Sequence, residues 1–91
     1  MNWIEIIDLR SAGKRIEMLK EMLLRPVEKT DHKGGLKGIS LYHNASVETD
    51  ISIHLQWEAE KRTPGKSDLG LRLASSLEEY GRVNHSIWLK D

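Results

Sequence analysis

The sequence predicts a single α+β domain in which four strands and two helices follow the order β-α-β-β-α-β. Three observations predict it. The chain opens on a segment rich in large aliphatic and β-branched residues, and residues 50–58 alternate apolar and polar side chains. Two further segments, one before and one after the central strands, carry apolar residues at helical spacing.

The first strand is expected over residues 3–10, Trp-Ile-Glu-Ile-Ile-Asp-Leu-Arg. Its apolar groups fall on both parities: Trp3, Ile7 and Leu9 on one face, Ile4 and Ile6 on the other. A strand with two apolar faces is usually covered on both sides. Ser11-Ala12-Gly13 breaks the pattern, and from Lys14 a helix is expected. Ile16, Leu19, Leu23 and Val27 form its stripe, widened by Met18 and Met22. Pro26 lacks an N–H and should end or kink that helix near Leu24 or Arg25. A polar loop with a glycine exit, residues 28–35, leads to the next strand.

Residues 36–44 and 50–58 are expected to pair as a hairpin, because only five residues join them. In the second of these, Ile51, Ile53, Leu55 and Trp57 point one way, and Ser52, His54 and Gln56 the other. Ser40, Tyr42 and Asn44 share a face of the preceding strand. After a charged loop around Pro64-Gly65, Ser67 is placed to cap a second helix. Leu69, Leu73, Leu77 and Tyr80 form its stripe, Gly70 and Ala74 permit close approach, and Gly81 marks its end. The last strand, residues 83–90, carries Val83, Ile87 and Leu89 on one parity and Trp88 on the other. The order of elements is that of the split βαβ, ferredoxin-like arrangement, with both helices on one sheet face.

Composition limits the function. The chain has 91 residues, enough for one domain with a thin core, so burial against a partner would help. It has no cysteine, which removes disulfides and zinc–thiolate sites and suits a cytoplasmic location. No secretory signal or membrane span is predicted. Fourteen basic residues balance fourteen acidic ones, so nucleic-acid binding is not expected.

The helix-free sheet face sets the expected assembly. It should hold Ser40, Tyr42, Ser52, His54 and Gln56, joined by Trp3, Ile7, Leu9 and Trp88. A face of uncharged polar groups rimmed by large apolar side chains usually meets something. Two copies packed sheet to sheet about a twofold axis would bury it and enclose a polar-lined cavity.

Gly34-Gly35-Leu36 leading into Tyr42, and His54-Leu55-Gln56-Trp57-Glu58 ending the third strand, resemble the antibiotic biosynthesis monooxygenase-like proteins of the dimeric α+β barrel superfamily. The resemblance spans nearly the whole chain and rests on pattern. It implies a homodimer joined through the helix-free face. It also implies an activity drawn from cofactor-independent oxygenases, haem-degrading enzymes, decarboxylases and isomerases, or no activity. The haem-degrading relatives use an asparagine, a tryptophan and a histidine from the second-helix region. Trp57 could match the tryptophan, but this second helix has no histidine and the first strand has no asparagine beyond Asn2. Haem degradation is therefore not expected.

His54, mid-strand on the polar face, is the first catalytic candidate, since an imidazole moves protons near neutral pH. Its structural alternative is a hydrogen-bonded interior histidine that holds strand register. Glu5 is the second. If it shares the face of Trp3, Ile7 and Leu9, it could meet His54 from the adjacent strand as a carboxylate–imidazole unit. With the opposite parity the pair does not form. Ser52, Gln56, Tyr42, Asn84 and Trp88 are the expected pocket residues. His85 joins them only if the last strand is reversed; otherwise it packs with Val83, Ile87 and Leu89. None of the four histidines has the helical spacing or carboxylate companion of a metal motif, so no metal and no cofactor is expected. Two functions follow. One is a cofactor-independent monooxygenase or isomerase acting on a small planar molecule. The other is a non-catalytic dimeric module that binds a ligand or a protein.

Overall fold

A computed structural model describes residues 2–11, 35–47, 49–59 and 64–91 of the chain. The described elements run in the order β1 (Asn2–Ser11), β2 (Leu36–His43), β3 (Asp50–Glu58), α1 (Asp68–Leu77), a short 3-10 turn (Glu78–Tyr80) and β4 (Gly81–Leu89). The helix expected from Lys14, with its Ile16–Val27 stripe, and His32 lie outside the described residues.

The four strands form one antiparallel sheet in the order β2-β3-β1-β4. This is the ferredoxin-like α+β arrangement that the element order predicts. β1 sits in the centre because it is the most apolar strand and can be flanked on both sides. Its neighbours run in continuous register, Trp3 opposite Trp57 and Leu89, Leu9 opposite Ile51 and Val83.

Local chemistry sets the ends of these elements. Gly35 has φ +96°, and a Cβ there would meet the Glu58 carbonyl oxygen at 2.5 Å, so the entry to β2 needs glycine. The β2–β3 ladder shifts register between Leu36 and Gly38, which leaves Lys37 as the extra residue of a bulge. In the hairpin, Asn44 Oδ1 accepts from the backbone N–H groups of Ser46 and Val47 at 2.8 and 3.0 Å. Ser67 caps α1 as its type predicts, its Oγ accepting from the Gly70 N–H at 2.9 Å. Gly81 does not simply end the helix: three residues of 3-10 turn intervene, and Gly81 opens β4.

α1 lies across β1 and β4. Leu69, Leu73, Ala74 and Leu77 form its buried stripe, against Trp3, Ile7, Leu9, Ile51, Ile53, Leu55 and Trp57 of the sheet. The face opposite α1 is built throughout from even-numbered residues: Ser40 and Tyr42, Ser52, His54 and Gln56, Ile4, Ile6 and Asp8, Asn84, Ser86 and Trp88.

This corrects the expected facing of β1. Trp3, Ile7 and Leu9 are buried on the helix side, and Ile4, Ile6 and Asp8 lie on the open face. Alternation could not choose, because both parities are apolar. The helix layer chose: the odd parity carries the bulk needed beneath α1, and its lone carboxylate finds hydrogen-bond donors only there. Leu89 also departs from expectation, standing 61% exposed where β4 ends.

Candidate functional site

Polar side chains gather in two places, one on each side of the sheet.

On the open face, His54 Nε2 lies 3.0 Å from Ser52 Oγ, two residues back on the same strand. Tyr42, opposite Ser52 on β2, tilts its ring against the imidazole at a centroid separation of 4.6 Å. A period-two strand projects residues i and i+2 side by side, so Ser52 and His54 meet without any loop to position them. Trp88 repeats the device on β4, its Nε1 donating to Ser86 Oγ at 2.9 Å. Between these strands runs the apolar centre of the face, Ile4 and Ile6 on β1. Trp88 is 61% exposed and Tyr42 51% exposed. Two shallow cavities flank this centre. One, of about 690 Å³, is bounded by Asp8, Arg10, Tyr42, Ser52, Arg82 and Asn84 among others. The other, of about 510 Å³, includes Ile4, Gln56 and Trp88.

On the helix side, Glu5 is fully buried and is surrounded by donors. Its Oε1 accepts from Trp57 Nε1 at 3.1 Å and from Ser67 Oγ at 2.7 Å. Its Oε2 accepts from the Ser67 backbone N–H at 3.1 Å and lies 2.5 Å from His85 Nε2. Three strands and the start of α1 thus converge on one carboxylate. A buried carboxylate is tolerable only with such a set of partners, and the N-terminus of a helix adds a favourable dipole. Gly70 makes the approach possible: a Cβ there would sit 1.8 Å from Glu5 Oε2. With Nε2 of His85 committed to Glu5, Nδ1 is the nitrogen left for other work.

The expected Glu5–His54 pair is therefore corrected. Glu5 stands opposite Leu55 and His54 opposite Ile6, on different faces of the sheet. The imidazole that Glu5 meets is His85, which packs on the helix side with Val83 and Ile87 and not with the open-face residues. Ser52, His54, Gln56, Tyr42, Asn84 and Trp88 share the open face. The partnership of Glu5, His85 and Ser67 is not among the pairings that the sequence predicts. A signal for it exists: Glu5 interrupts Trp3-x-Glu5-x-Ile7-x-Leu9, and His85 interrupts Val83-x-His85-x-Ile87. One ionisable group on each of two apolar faces, in adjacent strands, asks for a pairing. Asp8, Arg10 and Arg82 also lie on the open face, where the sequence pattern does not place them. Among the described residues, no group of three or more His, Asp or Glu side chains is arranged to hold a metal.

No protein-family model matches the chain, and no curated protein matches it in sequence. Solved structures do match in shape. A protein of Mycobacterium tuberculosis superposes with a TM-score of 0.65 at 14% identity, covering 100% of this chain and 96% of the other. A conserved protein of Methanosarcina mazei gives a TM-score of 0.69 at 14% identity, over 100% and 94% of the two chains. An antibiotic biosynthesis monooxygenase gives 0.60 at 13% identity, over 100% and 97%. Similarity this low in sequence and this complete in length speaks to architecture. The chain thus shares its ferredoxin-like α+β fold with these solved structures, an antibiotic biosynthesis monooxygenase among them.

Proposed function

We propose that the protein is a homodimer, closed through the open sheet face, that holds a small planar organic molecule between its two sheets and abstracts a proton from it with His54. The observation that carries this is the make-up of that face: an apolar centre of exposed Ile4 and half-buried Ile6, flanked by exposed Trp88, within a polar, mostly uncharged surround. An apolar centre with a polar rim is how protein interfaces are built. Four strands about 4.8 Å apart and some 30 Å long offer roughly 550 Å² of flat area, about 1,100 Å² for two copies, which clears the roughly 1,000 Å² that a biological interface needs.

Within that setting the Ser52 hydroxyl and the Tyr42 ring hold the His54 imidazole. Proton abstraction from an enolisable carbon is the step shared by the two candidate chemistries. An isomerase returns the proton to another carbon. A cofactor-independent oxygenase lets the carbanion pass its electrons to O2, so that CH2 becomes C=O and the second oxygen atom leaves as water with both hydrogens. The unusual exposure of Trp88 beside Ile4 supplies a flat wall for such a molecule.

The contact between Glu5 and His85 favours a second reading. There the carboxylate orients the imidazole, and His85 Nδ1 is the acid/base atom. The two readings separate by experiment. Native mass spectrometry should give a dimer, and NMR in D2O should show protein-catalysed exchange of the α-protons of β-tetralone. His54→Ala should slow that exchange by about a hundredfold or more while His85→Gln leaves it standing. The reverse pattern selects the Glu5–His85 reading. A dimer that binds the ketone without exchange is a binding module, and a monomer rejects the proposal.

A further inference from the structure

The larger cavity on the open face ends on a row of charges. Arg10 and Arg82 stand directly opposite each other on β1 and β4, with Asp50 on the other side of Arg10. One row inward lie Asp8 and Asn84, also cross-strand partners. All four charged residues border the cavity of about 690 Å³. Arg10 and Arg82 are exposed, and among the described residues neither guanidinium has a carboxylate partner; the close acid–imidazole contact there is that of Glu5 with His85.

Like charges directly opposite one another across a strand pair are unfavourable. Such a pair is retained more readily where something negative settles between its members. Two guanidiniums side by side present fork-shaped sets of N–H donors that match a planar oxyanion. The aspartates set its charge. Asp8 and Asp50 bring the local sum near zero, which suits a singly charged carboxylate better than a phosphate. Tyr42 and Asn84, at the same cavity, supply an aromatic surface and an amide beside the anion.

Resting on the proposed ligand-holding role of this face, we infer that Arg10 and Arg82 form a carboxylate clamp, and that the ligand is a planar aromatic or enolisable acid. The carboxylate lies between the two guanidiniums, and the ring extends over Tyr42 toward His54.

The test uses naphthalene carboxylate and its neutral amide as probes, titrated into the full-length protein and followed by amide and arginine side-chain NMR shifts. The carboxylate should bind about tenfold or more tightly than the amide, shift the Arg10 and Arg82 signals, and weaken with added salt. The exposed double variant Arg10→Gln/Arg82→Gln should lose that preference while binding the amide as before. Equal binding of the two probes, or a preference that survives the double variant, overturns the clamp and leaves the cavity reading intact. A variant that loosens the dimer without changing the preference also overturns it, and assigns the arginines to carboxylates across the interface. Failure of both probes to shift any open-face signal removes the cavity reading and the clamp with it.

Discussion

Glu5 shows how one residue can bind several elements together. Its two oxygens take hydrogen bonds from β3 through Trp57 and from the start of α1 through Ser67, and its Oε2 meets His85 of β4. Loss of any donor leaves a buried oxygen short of a partner, which costs about 1–3 kcal/mol. The two stacked tryptophans make a controlled comparison. Trp3 and Trp57 are cross-strand partners with ring centroids 6.1 Å apart and planes within 10°. Trp57 donates to Glu5, whereas Trp3 Nε1 is buried with no partner. The same substitution should therefore cost different amounts. Trp57→Phe should destabilise by about 1–3 kcal/mol more than Trp3→Phe in urea unfolding. Equal costs would mean that the indole–carboxylate bond contributes nothing beyond packing.

Between elements, the seat of α1 on β1 depends on a missing side chain. Gly70 faces Glu5 so closely that a methyl group would overlap its carboxylate, and that carboxylate is fixed by its partners. Gly70→Ala should cost about 1–3 kcal/mol or more despite the better helix propensity of alanine, seen as a lowered unfolding midpoint. Ala74→Gly, on the same buried stripe, should cost only about 1 kcal/mol. Elements were the most legible level of this chain. The alternation of Asp50–Glu58 and the leucine stripe of α1 each have one solution, and both lie where the pattern puts them. β1 had two solutions, since Trp3-Ile7-Leu9 and Ile4-Ile6 are both apolar. Its facing was settled by packing with elements distant in sequence, which no local pattern encodes. The Glu5–His85 contact was hidden for the same reason: it depends on which faces β1 and β4 turn toward α1, a tertiary outcome.

For the whole molecule, the proposed dimer rests on the open face. The apolar centre of Ile4 and Ile6 would lie at the middle of a twofold interface. A charge placed there would be met by its own copy. Ile6→Lys should therefore turn the proposed dimer into a folded monomer, read as halved mass in light scattering with unchanged far-ultraviolet circular dichroism. The helix side is untouched by that change, so the fold should survive. A variant that remains dimeric would move the interface elsewhere.

The placement of the tryptophans has an optical consequence. The chain has three, of which Trp3 and Trp57 are buried against each other while Trp88 stands on the open face. Quenching by iodide should accordingly separate the emission into a shielded pair and one accessible indole. When the open face closes, whether on a second copy or on a ligand, the accessible component should become shielded and shift to shorter wavelength. The protein thus carries a label-free reporter of that face, and dilution or titration can be followed with the native chain.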